Sequence, residues 1–393
     1  MPFKISSSIN QIVVGNLLRL LYFLVFCCTA SWLPVMADFC VSRGLTGIQI
    51  SVVLSMTPLM MFLVQPFIGM LADRYGLRTM LRMAAAVAAL AYLGYLLQGG
   101  FLWLVTVTLV MSLFYNTIQP VLDSLSLQLS AKDPSFSYGS LRVAGALGWA
   151  VTGIITGKVI DGSAVDMVFV IAAVSMAGVF LVALLLPVAE ASGALDTPGF
   201  GGAGMLLRNK QLLLLLLSVV LVSTGGTAIW NFYSLYMKGN GASSTLVGYG
   251  LSLQGLCELP FFYFSARILM RWGMKTTLIV TVLALATRLV LYSVVDQPNW
   301  AISIELLHGF SWSLFWVACV ESVNRMVDAK WMATGQSLLY AAYYGLGAVA
   351  GNYWTGFLAD KAMTFGQIFL LNGLIVFMVA ILLAVFLRTS PRN

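Results

Sequence analysis

The sequence predicts an all-α membrane protein in which twelve transmembrane helices form two six-helix bundles, each built from an inverted three-helix repeat. Three observations carry this prediction. Of 393 residues, 60% are hydrophobic and 9% charged, with a mean hydropathy of +0.94; a soluble domain is roughly 25% charged. Apolar runs of about 20 residues, enough to cross a hydrocarbon layer ~30 Å thick, recur along the whole chain. Finally, Arg74-Tyr-Gly-Leu-Arg-Thr-Met-Leu81 is echoed half a chain later by Arg271-Trp-Gly-Met-Lys-Thr-Thr-Leu278, the mark of two homologous halves.

Taken in order, the first run, 12–34, is too long for a signal-peptide core and no small-residue cleavage site follows it, so it reads as span 1. Span 2, 47–71, ends in Gly-x-x-x-Asp-Arg-x-Gly-x-Arg, and span 3 begins at once, 79–98. In that joint Gly69 lets two helix backbones approach, and Asp73 can pair with a helix dipole or with Arg74. Gly76 supplies a permissive turn, while Arg78 and Arg82 hold the loop in water. Spans 4 to 6 follow at 102–126, 139–160 and 165–188 and complete a bundle over 1–188. A Gly- and Ala-rich stretch, 189–210, reads as a flexible linker. The second bundle, 211–393, holds spans at 211–236, 246–269, 276–294, 300–324, 332–358 and 366–387. Gly-x-x-x-Asp recurs as Gly69 to Asp73, Gly157 to Asp161 and Gly356 to Asp360, at the ends of spans 2, 5 and 11. Spans 2 and 5 end on opposite sides of the membrane, as an inverted repeat would place them.

Basic residues set the orientation. With both termini cytoplasmic, the inner side holds Lys4, Arg74, Arg78, Arg82, Lys132, Arg208, Lys210, Arg267, Arg271, Lys275, Arg325, Lys330, Arg388 and Arg392, while the outer loops hold Arg43, Lys158, Lys238 and Lys361. The same bias accounts for the net charge of +7 without a nucleic-acid partner. Cys27, Cys28, Cys40, Cys257 and Cys319 have no metal-site spacing and read as packing residues. No nucleotide-binding loop, metal cluster or nucleophile partner for the single histidine is present in the sequence, which argues against an enzyme and against a cofactor.

Chemistry is expected where charge is costly. An ionised side chain at the membrane centre costs about 2.5–3.5 kcal/mol, so each needs a partner or a wet cavity. Within the spans stand Arg19, Asp123, Arg142, Glu258, Arg288, Glu305 and His308, with Glu321 nearer the inner end. Glu305 and His308 lie three apart on span 10 with Trp312 a turn beyond, Gln254 and Glu258 four apart on span 8, and Arg288 on span 9. Such a group can take up and release a proton, histidine being the side chain that ordinarily titrates near neutrality. In the first half, Asp123, Arg142 and Trp149 can hydrogen-bond a solute and stack on its flat side, and Asn116 is placed to join them. The lesser alternatives are that the Asp123 and Arg142 pair bridges two spans and that Glu258, Arg288 and His308 form a structural network.

The loop residues Gly69, Asp73, Arg74, Gly76, Arg78 and Arg82 resemble the signature of the major facilitator superfamily, and the two-half plan covers the chain. Pro120-Val-Leu-Asp123, the stretch from Tyr138 to Trp149, Cys257-Glu258-Leu and Leu307-His308-Gly-Phe310 are similar to the branch containing lactose permease and the 3-phenylpropionate permeases. The resemblance implies substrate binding by Asp123, Arg142 and Trp149 and places Glu258, Arg288 and His308 in a substrate and proton-coupling network; by the reading of the residues themselves Asn116 and Trp312 join the binding set and Glu305 the coupling set. This chain departs from lactose permease in having Ser311 where that family member has a proton-carrying glutamate, and Glu305 where it has a lysine. The proton carrier is then relocated to Glu258 or Glu305, or coupling is absent; the expectation is proton symport by alternating access in a bacterial inner membrane, and, since one chain holds both halves, a protein working as a monomer. An arylalkanoic acid such as 3-phenylpropionate is the favoured solute, ahead of a sugar or nucleoside. Proton-antiport export is the competing transport reading, and a non-transporting membrane receptor the most distant one.

Overall fold

The computed structural model describes residues 7–132, 138–186, 206, 208–328 and 332–388. Among these residues every regular element is helical: α1 (Ser7–Trp32), α2 (Met36–Ser42), α3 (Gly47–Tyr75), α4 (Leu77–Gly94), α5 (Phe101–Lys132), α6 (Tyr138–Gly162), α7 (Met167–Leu185), α8 (Lys210–Gly239), α9 (Ser244–Trp272), α10 (Met274–Val294), α11 (Pro298–Ile304), α12 (His308–Met326), α13 (Met332–Tyr340), α14 (Ala348–Asp360) and α15 (Phe365–Phe386). A 3₁₀ turn, Glu305–Leu307, joins α11 to α12, and a π-helical turn, Ala341–Gly347, joins α13 to α14. Taking each joined pair as one and leaving out short α2 gives the twelve helices the sequence predicts. Most of the expected linker, 189–210, lies outside the described residues.

The chain gathers into two compact units. Unit 1 comprises Met1–Leu33 and Leu63–Leu195, and unit 2 comprises Pro34–Phe62 and Asp196–Asn393. The second unit therefore includes α2 and the first half of α3, which the sequence division at 189–210 assigns to the first bundle.

In unit 1, α1 packs along α6 and α7, and α4 along α5 and α7. Small residues set the α1 to α6 approach: a Cβ on Gly148 would strike the Phe23 carbonyl, and one on Gly145 would lie 2.8 Å from the Phe26 ring. Gly76, at φ +81°, reverses the chain between α3 and α4, a conformation that suits glycine alone. The side chains of Gly69, Asp73 and Arg74 lie outside the described residues, but their neighbours on α4 do not. Arg78 donates to the Leu184 carbonyl at 2.7 Å, and Arg82 to Ala183 at 3.1 Å and Leu184 at 3.0 Å. The two guanidinium groups thus satisfy carbonyls that the last turn of α7 leaves without helical partners, at the negative end of its dipole.

In unit 2, α8 runs against α14, the π turn and α15, while α10 packs on α15 and α12, and α9 on α12. Asp360, at the end of α14, caps the start of α3: its two carboxylate oxygens accept from Gly47 N at 2.6 Å and Ile48 N at 2.9 Å. One turn along, Ser51 donates to the Asn352 carbonyl at 2.7 Å. Lys238 at the end of α8 pairs with Asp38 on α2 at 2.8 Å.

Candidate functional site

Among the described residues, each unit holds a cluster of the expected polar side chains within its apolar helices. In unit 1, Asn116, Gln119 and Asp123 fall on one face of α5 by helical spacing. Asp123 Oδ1 accepts from the Tyr22 hydroxyl of α1 at 2.7 Å and from Gln119 Nε2 at 2.9 Å. The carboxylate is therefore oriented by neutral donors and keeps lone pairs for other groups. Arg142, exposed on α6, lies with its guanidinium 6.0 Å from the Phe26 ring of α1. Trp149 stands seven residues further along α6, partly exposed, next to the tight Gly148 crossing. Asn116 is buried, and Arg19 donates within its own helix to Asn16 at 3.0 Å.

In unit 2 four of the expected residues meet. Arg288 on α10 donates through Nη2 to Glu305 Oε2 at 2.8 Å, through Nη1 to His308 Nδ1 at 3.0 Å, and to the Ser311 hydroxyl at 3.2 Å. His308 Nε2 faces Glu258 Oε1 of α9 at 2.9 Å. Because a guanidinium only donates, Nδ1 must accept, which leaves the ring neutral with its proton on Nε2, donated to the Glu258 carboxylate. A proton arriving at His308 Nδ1 would have to displace Arg288, whereas one arriving at Glu258 meets no such competitor.

The two carboxylates differ in surroundings. Glu305 is fully buried and its oxygens are taken by Arg288, by Gln254 Nε2 at 2.7 Å and by the Tyr292 hydroxyl. Glu258 keeps a quarter of its side chain exposed. A buried carboxylate engaged by three donors is held in place, and removing it strands the buried Arg288 charge.

Helix geometry places these groups. A Cβ on Gly309 would collide with the Cys257 carbonyl, so the bare glycine lets α12 approach α9 closely enough for adjacent His308 to reach adjacent Glu258. The 3₁₀ turn at Glu305–Leu307 sits between the two positions, so Glu305 turns towards α10 and His308 stands between α10 and α9. The Trp230 ring meets the His308 ring and the Trp312 ring in T-shaped contacts, its centroid 5.2 Å and 5.7 Å from theirs.

Sequence reasoning named Glu258, Arg288, Glu305 and His308, and these the structure brings together. It paired Gln254 with Glu258 by spacing, whereas Gln254 bonds Glu305. It missed Tyr292, Tyr22 and Trp230. Tyr292 had a signal, lying four residues after Arg288 on the same helix face; nothing distinguished Tyr22 or Trp230 from other aromatic residues in apolar runs.

A model of the MFS_1 like family matches residues 16–371. The maltose permease of Geobacillus stearothermophilus is 27% identical over 87% of each chain. The probable 3-phenylpropionic acid transporter of Escherichia coli (strain K12) is 23% identical over 78% of this chain and 81% of its own length. Among solved structures, the nucleoside transporter NupG superposes with a TM-score of 0.85 at 18% identity, covering 96% of this chain and all of the other.

Proposed function

The chain belongs to the MFS_1 like family, and from that premise we propose that it carries out proton-coupled uptake of a small organic solute bearing a ring. It is a secondary transporter of the major facilitator superfamily and a multi-pass membrane protein, not an enzyme. Coupling to protons rests on one observation: a neutral His308 held between Arg288 and the partly exposed Glu258, beside the buried Arg288 to Glu305 pair. Glu258 takes the proton, His308 relays the change to Arg288, and Glu305 remains the fixed counter-ion. The cycle is alternating access by a monomer in a bacterial inner membrane, with both termini cytoplasmic.

For the solute, an arylalkanoic acid fits Arg142, whose exposed guanidinium suits a carboxylate, with Trp149 for the ring. A second reading, a sugar, is favoured by Asp123, whose carboxylate already accepts from the neutral donors Tyr22 and Gln119 and suits the hydroxyls of a solute in the same way; the 27% identity to a maltose permease supports it.

The test is external pH in lightly buffered, de-energised cells on addition of 3-phenylpropionate, maltose or a nucleoside. Alkalinisation with one solute, abolished by Glu258→Gln, is expected and names the solute class. Solute entry without alkalinisation would overturn proton coupling.

A further inference from the structure

We propose that unit 2 carries a subsite for a flat aromatic ring, formed by Trp312, Trp316, Tyr340 and Tyr344, so that the transporter prefers aryl-bearing solutes to saturated ones of equal size. The proposal deepens the uptake reading and rests on it for the claim that the bound solute is carried. It is separate from the indole of Trp149, which belongs to unit 1.

The wall is built from two short stacks on neighbouring helices. Trp312 and Trp316, four apart on α12, stack at 5.6 Å with an interplanar angle of 27°. Tyr340 and Tyr344, four apart from the end of α13 into the π turn, stack at 5.6 Å and 30°. The stacks meet edge to face, Trp316 lying 5.0 Å from Tyr340 at 87° and 5.3 Å from Tyr344 at 63°. Offset stacks and T-shaped contacts are the arrangements that the aromatic quadrupole favours, and a ligand ring placed against them continues the same pattern.

The wall packs on the core with one side and is open on the other. Behind it Tyr343 and Phe315 are 5% and 3% exposed and form a closed base, with Tyr343 5.0 Å from Trp312. The outer layer is not closed: Tyr340 is 41% exposed, and Trp312, Trp316 and Tyr344 are partly exposed. The open layer also runs into the charged network, because Trp230 bridges Trp312 and His308 by edge contacts. A ring seated on the wall would therefore lie close to the proton-bearing pair.

The backbone is shaped for this. The π turn Ala341–Gly347 has more residues per turn than an α-helix, so consecutive Tyr343 and Tyr344 point closer together, their rings 4.9 Å apart. Such turns cost backbone hydrogen bonding and gather at functional sites. Here α8 supplies replacements: the Ser223 hydroxyl donates to the Tyr343 carbonyl at 2.7 Å and Thr224 to the Gly347 carbonyl at 3.4 Å. Gly347 fits because a Cβ there would lie 2.5 Å from that of Ser223.

The experiment compares binding of 3-phenylpropionate with 3-cyclohexylpropionate, and of phenyl glucoside with cyclohexyl glucoside, to the purified full-length protein by calorimetry. Aromatic contacts of this kind add up to roughly tenfold in affinity beyond area burial. We expect such a phenyl preference in at least one series, its loss in Trp316→Leu and Tyr344→Leu, and its retention in Trp316→Phe, which also shows that the fold tolerates change there. A preference that survives both leucine variants overturns the subsite, as does equal binding of phenyl and cyclohexyl probes, or no binding of any of the four. Phenyl preference without solute-dependent alkalinisation would sink proton-coupled uptake and leave the subsite standing.

Discussion

Glu305 pairs with Arg288 and Glu258 with His308, in one connected cluster, yet their substitution should have opposite signatures. Glu305→Gln leaves Arg288 buried without its counter-ion, a loss of about 3–5 kcal/mol where a buried pair is broken. It should lower the melting temperature and the yield of monodisperse protein in detergent. Glu258→Gln keeps a hydrogen-bonding group opposite His308 at a quarter-exposed position and should leave both near wild type, while abolishing solute-driven proton uptake and sparing solute exchange. Thermal melts read beside counterflow decide it; equal destabilisation by both variants would contradict the division of roles. Charges of this kind were legible in the sequence because an ionisable group in an apolar run is conspicuous and must find a partner. Tyr22 and Tyr292 were not, because a tyrosine in a membrane span is ordinary until its hydroxyl is seen against a carboxylate.

At the scale of the element, the close crossing of α9 and α12 is what converts two separate spans into a His308 to Glu258 bond, and Gly309 sets it. Gly309→Ala places a methyl group into the Cys257 carbonyl, so one helix must move. Overpacking of this sort costs about 1–3 kcal/mol. The variant should remain folded, with a modestly lower melting temperature, and should lose proton coupling out of proportion to that loss. Normal solute-driven alkalinisation by a stably inserted Gly309→Ala protein would show that the crossing is not needed. The sequence revealed that spans 10 and 11 exist but not that each is interrupted. A run of apolar residues reports length and burial in lipid, while the 3₁₀ turn at Glu305–Leu307 and the π turn at Ala341–Gly347 depend on hydroxyls and charged groups contributed by other helices.

For the whole molecule, the loop composition of 189–210 suggests a cut between two bundles, but contact places Pro34–Phe62 with the second unit. The reason lies in charges whose partners are distant in sequence. Lys238 finds Asp38, and the Asp360 carboxylate finds the amides of Gly47 and Ile48, where a negative group at a helix N-terminus contributes up to about 2 kcal/mol. No periodicity within one span encodes such pairs. A fragment comprising 196–393 therefore lacks the segment that satisfies two of its own charged ends. Expressed alone with a C-terminal tag, it should be degraded, and co-expression of 1–195 should restore its level in membranes. If the ion pair and the helix cap are what the missing segment supplies, Lys238→Ala with Asp360→Ala in the tagged fragment should reduce that rescue several-fold, read by quantitative immunoblot. A lone 196–393 fragment that accumulates and melts as it does in the co-expressed pair would mean that unit 2 is complete without Pro34–Phe62, and that the halves separate where the loop composition alone places the cut.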